Sequence, residues 1–261
     1  MLIGALVGVG MQIVTTAVFI AMLPLIGHDF RLADTGDDVF DRAGEVLEWG
    51  DKRLKAASEG APLPDVPKLY ADVTSIKVGF ATTLVFEASL VAIVAVAIGQ
   101  RSLRGVLKTF RMDSYSWDEL WVPGVAVIAM YLFVIGYGLA VDVLDIEILK
   151  PRSTVPASVT RDAVALAVAG VLACLVAPIA EELFFRGLVF RGLLKWGFWP
   201  AAIVTSAFFC LAHLNIGSLI PFFIVGMVMA YLYWRRGCLW DSIAFHFLFN
   251  GTSYILLVAK G

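Results

Sequence analysis

The chain has 261 residues, 60% of them hydrophobic, and a mean hydropathy of +0.85. Soluble domains average roughly 45–50% apolar residues, so this composition excludes an ordinary soluble domain and indicates a multi-pass membrane protein. The net charge of -2 and pI near 5.9 exclude nucleic acid as a partner.

Seven apolar segments follow one another, at 2–26, 78–99, 120–141, 162–185, 199–214, 218–234 and 238–258. A helix needs about 20 apolar residues to cross the hydrocarbon core, and the fifth segment is short by that measure. The expected fold is all-α: one membrane domain over 1–261 with about seven spanning helices, of which 162–258 carry the chemistry. The first run, Leu2 to Ile26, is longer than the apolar core of a signal peptide, so it reads as a retained span.

Residues 28–77 differ from the rest. Asp34, Asp37, Asp38, Asp41, Glu45, Glu48 and Asp51 lie close together, and Val39, Phe40, Ala43, Val46, Leu47 and Leu54 recur near a helical period. Thr35 can cap such a helix, with Asp38 three residues on, and Gly60, Pro62, Pro64 and Pro67 end it. This stretch reads as an acidic amphipathic helix and stiff linker on the outer face, either a solvated cover or an element that admits substrate or binds a partner.

Basic residues set the orientation. Arg101, Arg104, Lys108 and Arg111 follow the second segment, Arg191 and Lys195 the fourth, and Arg235 and Arg236 the sixth. A seven-span chain puts all three groups on one side. The positive-inside rule makes that side cytoplasmic, with the N-terminus inside and the C-terminus outside. Cys174, Cys210 and Cys238 have no metal-type spacing and read as small core residues.

The chemistry-bearing groups sit inside the later segments. Glu181 and Glu182 are adjacent, and Arg186 follows four residues after Glu182. Ionisable groups at membrane depth are costly and face a cavity or a partner. Four-residue spacing places Glu182 and Arg186 on one helix face as a pair, while Glu181 is turned about 100° away. Measured at 1.5 Å per residue from Arg191 and Arg236, Glu181 and His246 lie about 15 Å deep and Asn250 about 21 Å, and His213, measured from Pro200, lies about 20 Å deep. Phe209 precedes His213 by four residues, and His246 precedes Asn250 by four. Glu87 is an isolated carboxylate in the second segment, which lines the cavity or meets a hydroxyl. His28 lies outside the bundle. A purely structural alternative has both glutamates binding Arg186 only to fix helix packing.

The series Glu181-Glu182-x-x-x-Arg186, Phe209-x-x-x-His213 and His246-x-x-x-Asn250 resembles the CPBP family, which includes the type II CAAX prenyl endopeptidases. The match runs from Pro178 to Asn250, and the first half of the chain has no motif in common with that family. The resemblance implies a helical-bundle intramembrane peptidase with Glu181, His213, His246 and Asn250 in its catalytic site. Glu182, Arg186 and Phe209 then support it. A carboxylate beside a histidine can be tuned to take a proton from water, and His246 and Asn250 can hold an oxyanion. Signatures of other membrane proteases are missing: there is no His-Glu-x-x-His and no Gly-x-Gly-Asp.

The expected activity is therefore hydrolysis of a peptide bond in a membrane-associated protein or peptide, without metal or other cofactor. A first alternative keeps the same residues but lets Glu181, His213 and His246 hold zinc. A second is a non-catalytic binding or chaperone-like membrane protein. A proton-coupled transporter is weaker still, since no inverted repeat is visible. The sequence specifies neither a prenyl group on the substrate nor an oligomeric state.

Overall fold

The computed structural model describes residues 50–62, 64, 73–100, 102–113, 117–146, 149–151, 159–160, 162–213 and 215–260. The first apolar run 2–26, His28 and most of the acidic helix expected over 28–77 lie outside these. Of that stretch, residues 50–59 are helical and end at Gly60, whose φ of +63° suits glycine alone at low cost.

The described residues form helices and connecting turns, with no strand among them. We number the main helices α1 (Val73–Ala97), α2 (Leu103–Thr109), α3 (Trp121–Val143), α4 (Ala163–Trp196), α5 (Phe198–Ala212), α6 (Leu219–Arg236) and α7 (Leu239–Lys260). Local chemistry sets several ends. Ser102 caps α2 by accepting from Gly105 N–H at 3.2 Å, and Asp162 caps α4 by accepting from Ala165 N–H at 2.7 Å. Gly237, at φ +66°, ends α6 by donating its N–H to Tyr233 O at 2.7 Å.

Among the described residues, four helices are long and apolar enough to cross a membrane: α3, α4, α6 and α7. The apolar stretch Thr83–Ala97 of α1 and the whole of α5 are shorter. Six of the seven expected segments thus appear as helices, four of which meet the length and hydropathy needed to span. The outward faces explain the composition. On α3, Trp121, Val125, Ile128, Leu132, Ile135, Leu139 and Val143 are exposed at three- and four-residue spacing, while Val127 and Met130 are buried. A continuous exposed apolar stripe is disfavoured in water and natural against lipid. The protein is a multi-pass membrane protein.

One core unites α1 with α3 to α7. Leu90, Phe110, Phe190, Phe209, Met229, Leu232, Leu239 and Phe245 are almost wholly buried within it. Helices α5 and α6 pack tightly at Gly226, where an added Cβ would lie 2.9 Å from Ser206 Cα. Such small-residue contacts are how membrane helices gain packing energy.

The basic groups gather at one end of this bundle. Arg191 donates to Thr109 O at 2.9 Å, Arg111 donates to Arg236 O at 3.0 Å, and Arg235 pairs with Glu119 at 2.6 Å. An open cleft of ≈ 450 Å³ at this end is lined by Arg104, Leu107, Lys108 and Asp113, none of them a candidate site residue.

Candidate active site

Helix α4 supplies the charged centre, and its own winding is irregular. It passes from α-helix into wider π-helical turns over Leu172–Val176, returns to α-helix over Ala177–Glu182, and widens again over Leu183–Phe190. Widened turns of this kind recur at functional sites. The first has a cause in the sequence. Ala177 N–H donates to Leu172 O, five residues back. The next donor in that register would be residue 178, but this is proline and has no N–H. Ala173 O is left over, and Asn250 Nδ2 of α7 donates to it at 2.8 Å. A buried carbonyl without a donor is destabilising, so α7 is tied to α4 at this point.

Glu182 and Arg186 are both 0% exposed. Arg186 Nη1 donates to Glu182 Oε1 at 2.8 Å, and Nη2 donates to Gly226 O of α6 at 3.2 Å. The guanidinium also lies 4.7 Å from the centre of the Phe209 ring, a cation–π contact. One arginine thus joins α4, α5 and α6.

His246, on α7, stands between the two glutamates. Its Nδ1 is 3.2 Å from Glu182 Oε1, and its Nε2 is 3.9 Å from Glu181 Oε2. An ionised carboxylate only accepts, so Nδ1 carries a proton toward Glu182 and Nε2 is the nitrogen turned to Glu181. The second distance is too long for a direct hydrogen bond and leaves room for a shared group. The Glu181 side chain is 15% exposed, and its Oε2 has no hydrogen-bond partner among the described residues.

His213 follows the last residue of α5, at the turn. Its Nδ1 lies 2.8 Å from Phe209 O, and because a carbonyl only accepts, Nδ1 is the protonated nitrogen and Nε2 carries the lone pair. Its ring packs between Phe209 and Phe222, with centroids 4.6 and 4.5 Å away. Among the described residues His213 makes no hydrogen bond or ion pair with Glu181. It reaches the centre through Phe209, whose ring lies 5.8 Å from that of His246.

The structure therefore brings Glu181, Glu182, Arg186 and His246 into one polar cluster, with Phe209 against it. His213 lies one aromatic ring away, and Asn250 sits one turn beyond His246 with one amide hydrogen committed to Ala173. The pattern read from the sequence did not reveal two partners, Gly226 O and Ala173 O. For Ala173 the signal was present, in Pro178. Glu87 of α1 is 2% exposed and close enough to Glu181 for their charges to interact. It is thus not isolated from the centre. No three His, Cys, Asp or Glu side chains among the described residues converge in a way that could hold one metal ion.

Breaking a buried pair by removing one partner typically costs about 3–5 kcal/mol. Arg186→Ala should lower stability by about that amount, and Glu181→Gln should change it by less than about 1 kcal/mol. Unfolding curves in detergent check both; equal losses would place Glu181 in the brace as well.

The comparisons with known proteins bear on this same region. Residues 163–252 match the family model described as type II CAAX prenyl endopeptidase Rce1-like. A Bacillus subtilis (strain 168) protein named "Putative membrane peptidase YdiL" is 31% identical over 81 residues, 31% of this chain and 33% of that protein. An Escherichia coli protein, "Uncharacterized 24.3 kDa protein", is 35% identical over 78 residues, 28% of this chain and 36% of that protein. The matched part thus spans about a third of the length of these curated relatives. No solved structure matches significantly. The resemblance carried by the three motifs thus coincides with residues 163–252, the part of the chain that is similar to the Rce1-like family model.

Proposed function

We propose that this protein is an intramembrane endopeptidase that hydrolyses a peptide bond of a membrane-associated protein or peptide with an activated water. The observation that carries the proposal is the 3.9 Å gap between Glu181 Oε2 and His246 Nε2. A water in reach of both can lose its proton to Glu181 as it attacks the scissile carbonyl. Glu181 then returns that proton to the leaving amine, so the carboxylate ends as it began. The site needs no nucleophilic serine or cysteine.

Glu182 and Arg186 hold this arrangement. The Glu182 carboxylate fixes the His246 ring through Nδ1, so that Nε2 faces the reacting centre and is a donor there when it holds a proton. That proton is placed to donate to the oxyanion as it forms. The remaining amide hydrogen of Asn250 is the second oxyanion donor, its side chain steadied by the bond to Ala173 O. His213 assists the base through its Nε2 lone pair, and substrate entry must bring it and Glu181 toward the same water. We assign no metal or other cofactor to this chemistry.

The purified protein should cleave members of a fluorogenic peptide library presented in detergent micelles. Glu181→Gln and His213→Ala should abolish turnover without unfolding the chain. Asn250→Ala should lower it by about 10²–10³, the usual worth of one oxyanion donor. Turnover should survive chelator. Normal turnover by Glu181→Gln would remove the base from this scheme, and activity lost to chelator and restored by zinc would make the same residues a metal site.

The orientation we propose puts the basic end of the bundle in the cytoplasm, with residues 100–118 and 186–198 inside and 30–76 outside. The convergence of Arg111, Arg191 and Arg235 at one end supports it, through the positive-inside rule. The N-terminus is then cytoplasmic and the C-terminus extracytoplasmic. An impermeant thiol reagent on intact cells should label a cysteine at exposed Ser58 and spare one at Ser102; the opposite pattern would invert the topology.

A further inference from the structure

Glu87 is a third buried carboxyl near the centre, and the proposed hydrolysis gives it no task. It comes from α1, outside the matched residues 163–252. It is 2% exposed, and its Oε2 has no hydrogen-bond partner among the described residues. Helix α1 packs along α4, including the turn Ala177–Glu182 that carries Glu181. Glu181 likewise has a buried Oε2 without a partner. Two buried carboxyls on packed helices, close enough for their charges to interact, therefore each present an oxygen without a partner among the described residues.

Among the described residues, the charged groups around the centre are Glu87 from α1, Glu181, Glu182 and Arg186 from α4, and His246 from α7. At most two of them are cations, Arg186 and His246. Arg186 is bonded to Glu182, and His246 stands between Glu182 and Glu181. His213 bonds to a backbone carbonyl and packs between aromatic rings, so it offers Glu87 no counter-charge. Even with His246 charged, the two cations balance only Glu181 and Glu182. An unbalanced carboxylate in hydrocarbon is costly, and where two carboxyls share a site without enough counter-charge one of them keeps its proton.

We propose that Glu87 is a positioning residue that stays a neutral carboxylic acid and faces Glu181, so that the two carboxyls hold a single proton between them, resident on Glu87. This arrangement leaves Glu181 as the ionised member. If the peptidase reading holds, Glu87 thereby keeps the base in its active form and steadies it without touching substrate. An ionised Glu87 would instead oppose the charge on Glu181 and drive a proton onto it.

Infrared difference spectroscopy of the full-length protein in lipid nanodiscs tests this without reference to turnover. At neutral pH the wild type should show the carbonyl band of a buried protonated carboxylic acid, shifted on exchange into deuterated water. Glu87→Gln should lose that band, while Glu181→Gln should keep it. Should Glu87→Gln not fold, Glu87→Asp serves, with the band displaced but present. Absence of the band in the folded wild type would overturn the proposal. So would a band that survives Glu87→Gln and disappears in Glu181→Gln, since the proton would then reside on Glu181. These spectra report protonation alone, so they stand apart from any failure to find peptide cleavage.

Discussion

The buried ion pair between Glu182 and Arg186 is the constraint around which the membrane core of this protein is arranged. Neither charge reaches solvent. A lone charge at that depth would be costly, so each must be met, and the means of meeting them brings four helices together. Arg186 answers Glu182 within α4, takes a carbonyl from α6 at Gly226, and lies against the ring of Phe209 from α5. Glu182 answers back across the bundle by fixing His246 of α7. Gly226 belongs to the same device: without a side chain it lets α6 approach Ser206 of α5 and offers its carbonyl within reach of the guanidinium.

The reactive geometry is a consequence of that brace. Glu181, the residue before Glu182, is turned about 100° to another face of α4 and keeps an oxygen without a partner among the described residues. Because His246 is held through Nδ1, its other nitrogen is aimed at that oxygen. Phe209 is the physical link to His213, with one ring touching both histidines and the arginine. The proline at 178 adds a second tie. By withholding one N–H it frees the carbonyl that Asn250 captures, so a break in the backbone ladder becomes an interhelical contact.

The periodicities made much of this legible. Four-residue spacing put Glu182 with Arg186, and the six described apolar segments emerge as helices within a few residues of their expected limits. Helix α4 departs most, running to Trp196 rather than stopping near 185, because its widened turns keep the backbone helical through the polar centre. The short helix α2 was invisible, since seven residues between basic side chains give no apolar period. Contacts between distant elements also left no local trace. Spacing tells which face a residue takes, but not that Glu87 of α1 would meet Glu181, nor that His213 would reach the centre through an aromatic ring. Those follow from packing, which no single segment encodes. The expectation of seven spans rested on hydropathy and on the three basic clusters, and four of the described helices have the length and composition to span.

The central claim is that Glu181 makes this membrane protein a peptidase. Its most direct test is a comparison of the peptide termini in membranes from cells carrying the wild-type chain or Glu181→Gln, both expressed at equal abundance. The account predicts a set of termini from membrane-associated proteins that is present with the wild type and absent with Glu181→Gln. Identical termini in the two membranes would contradict it.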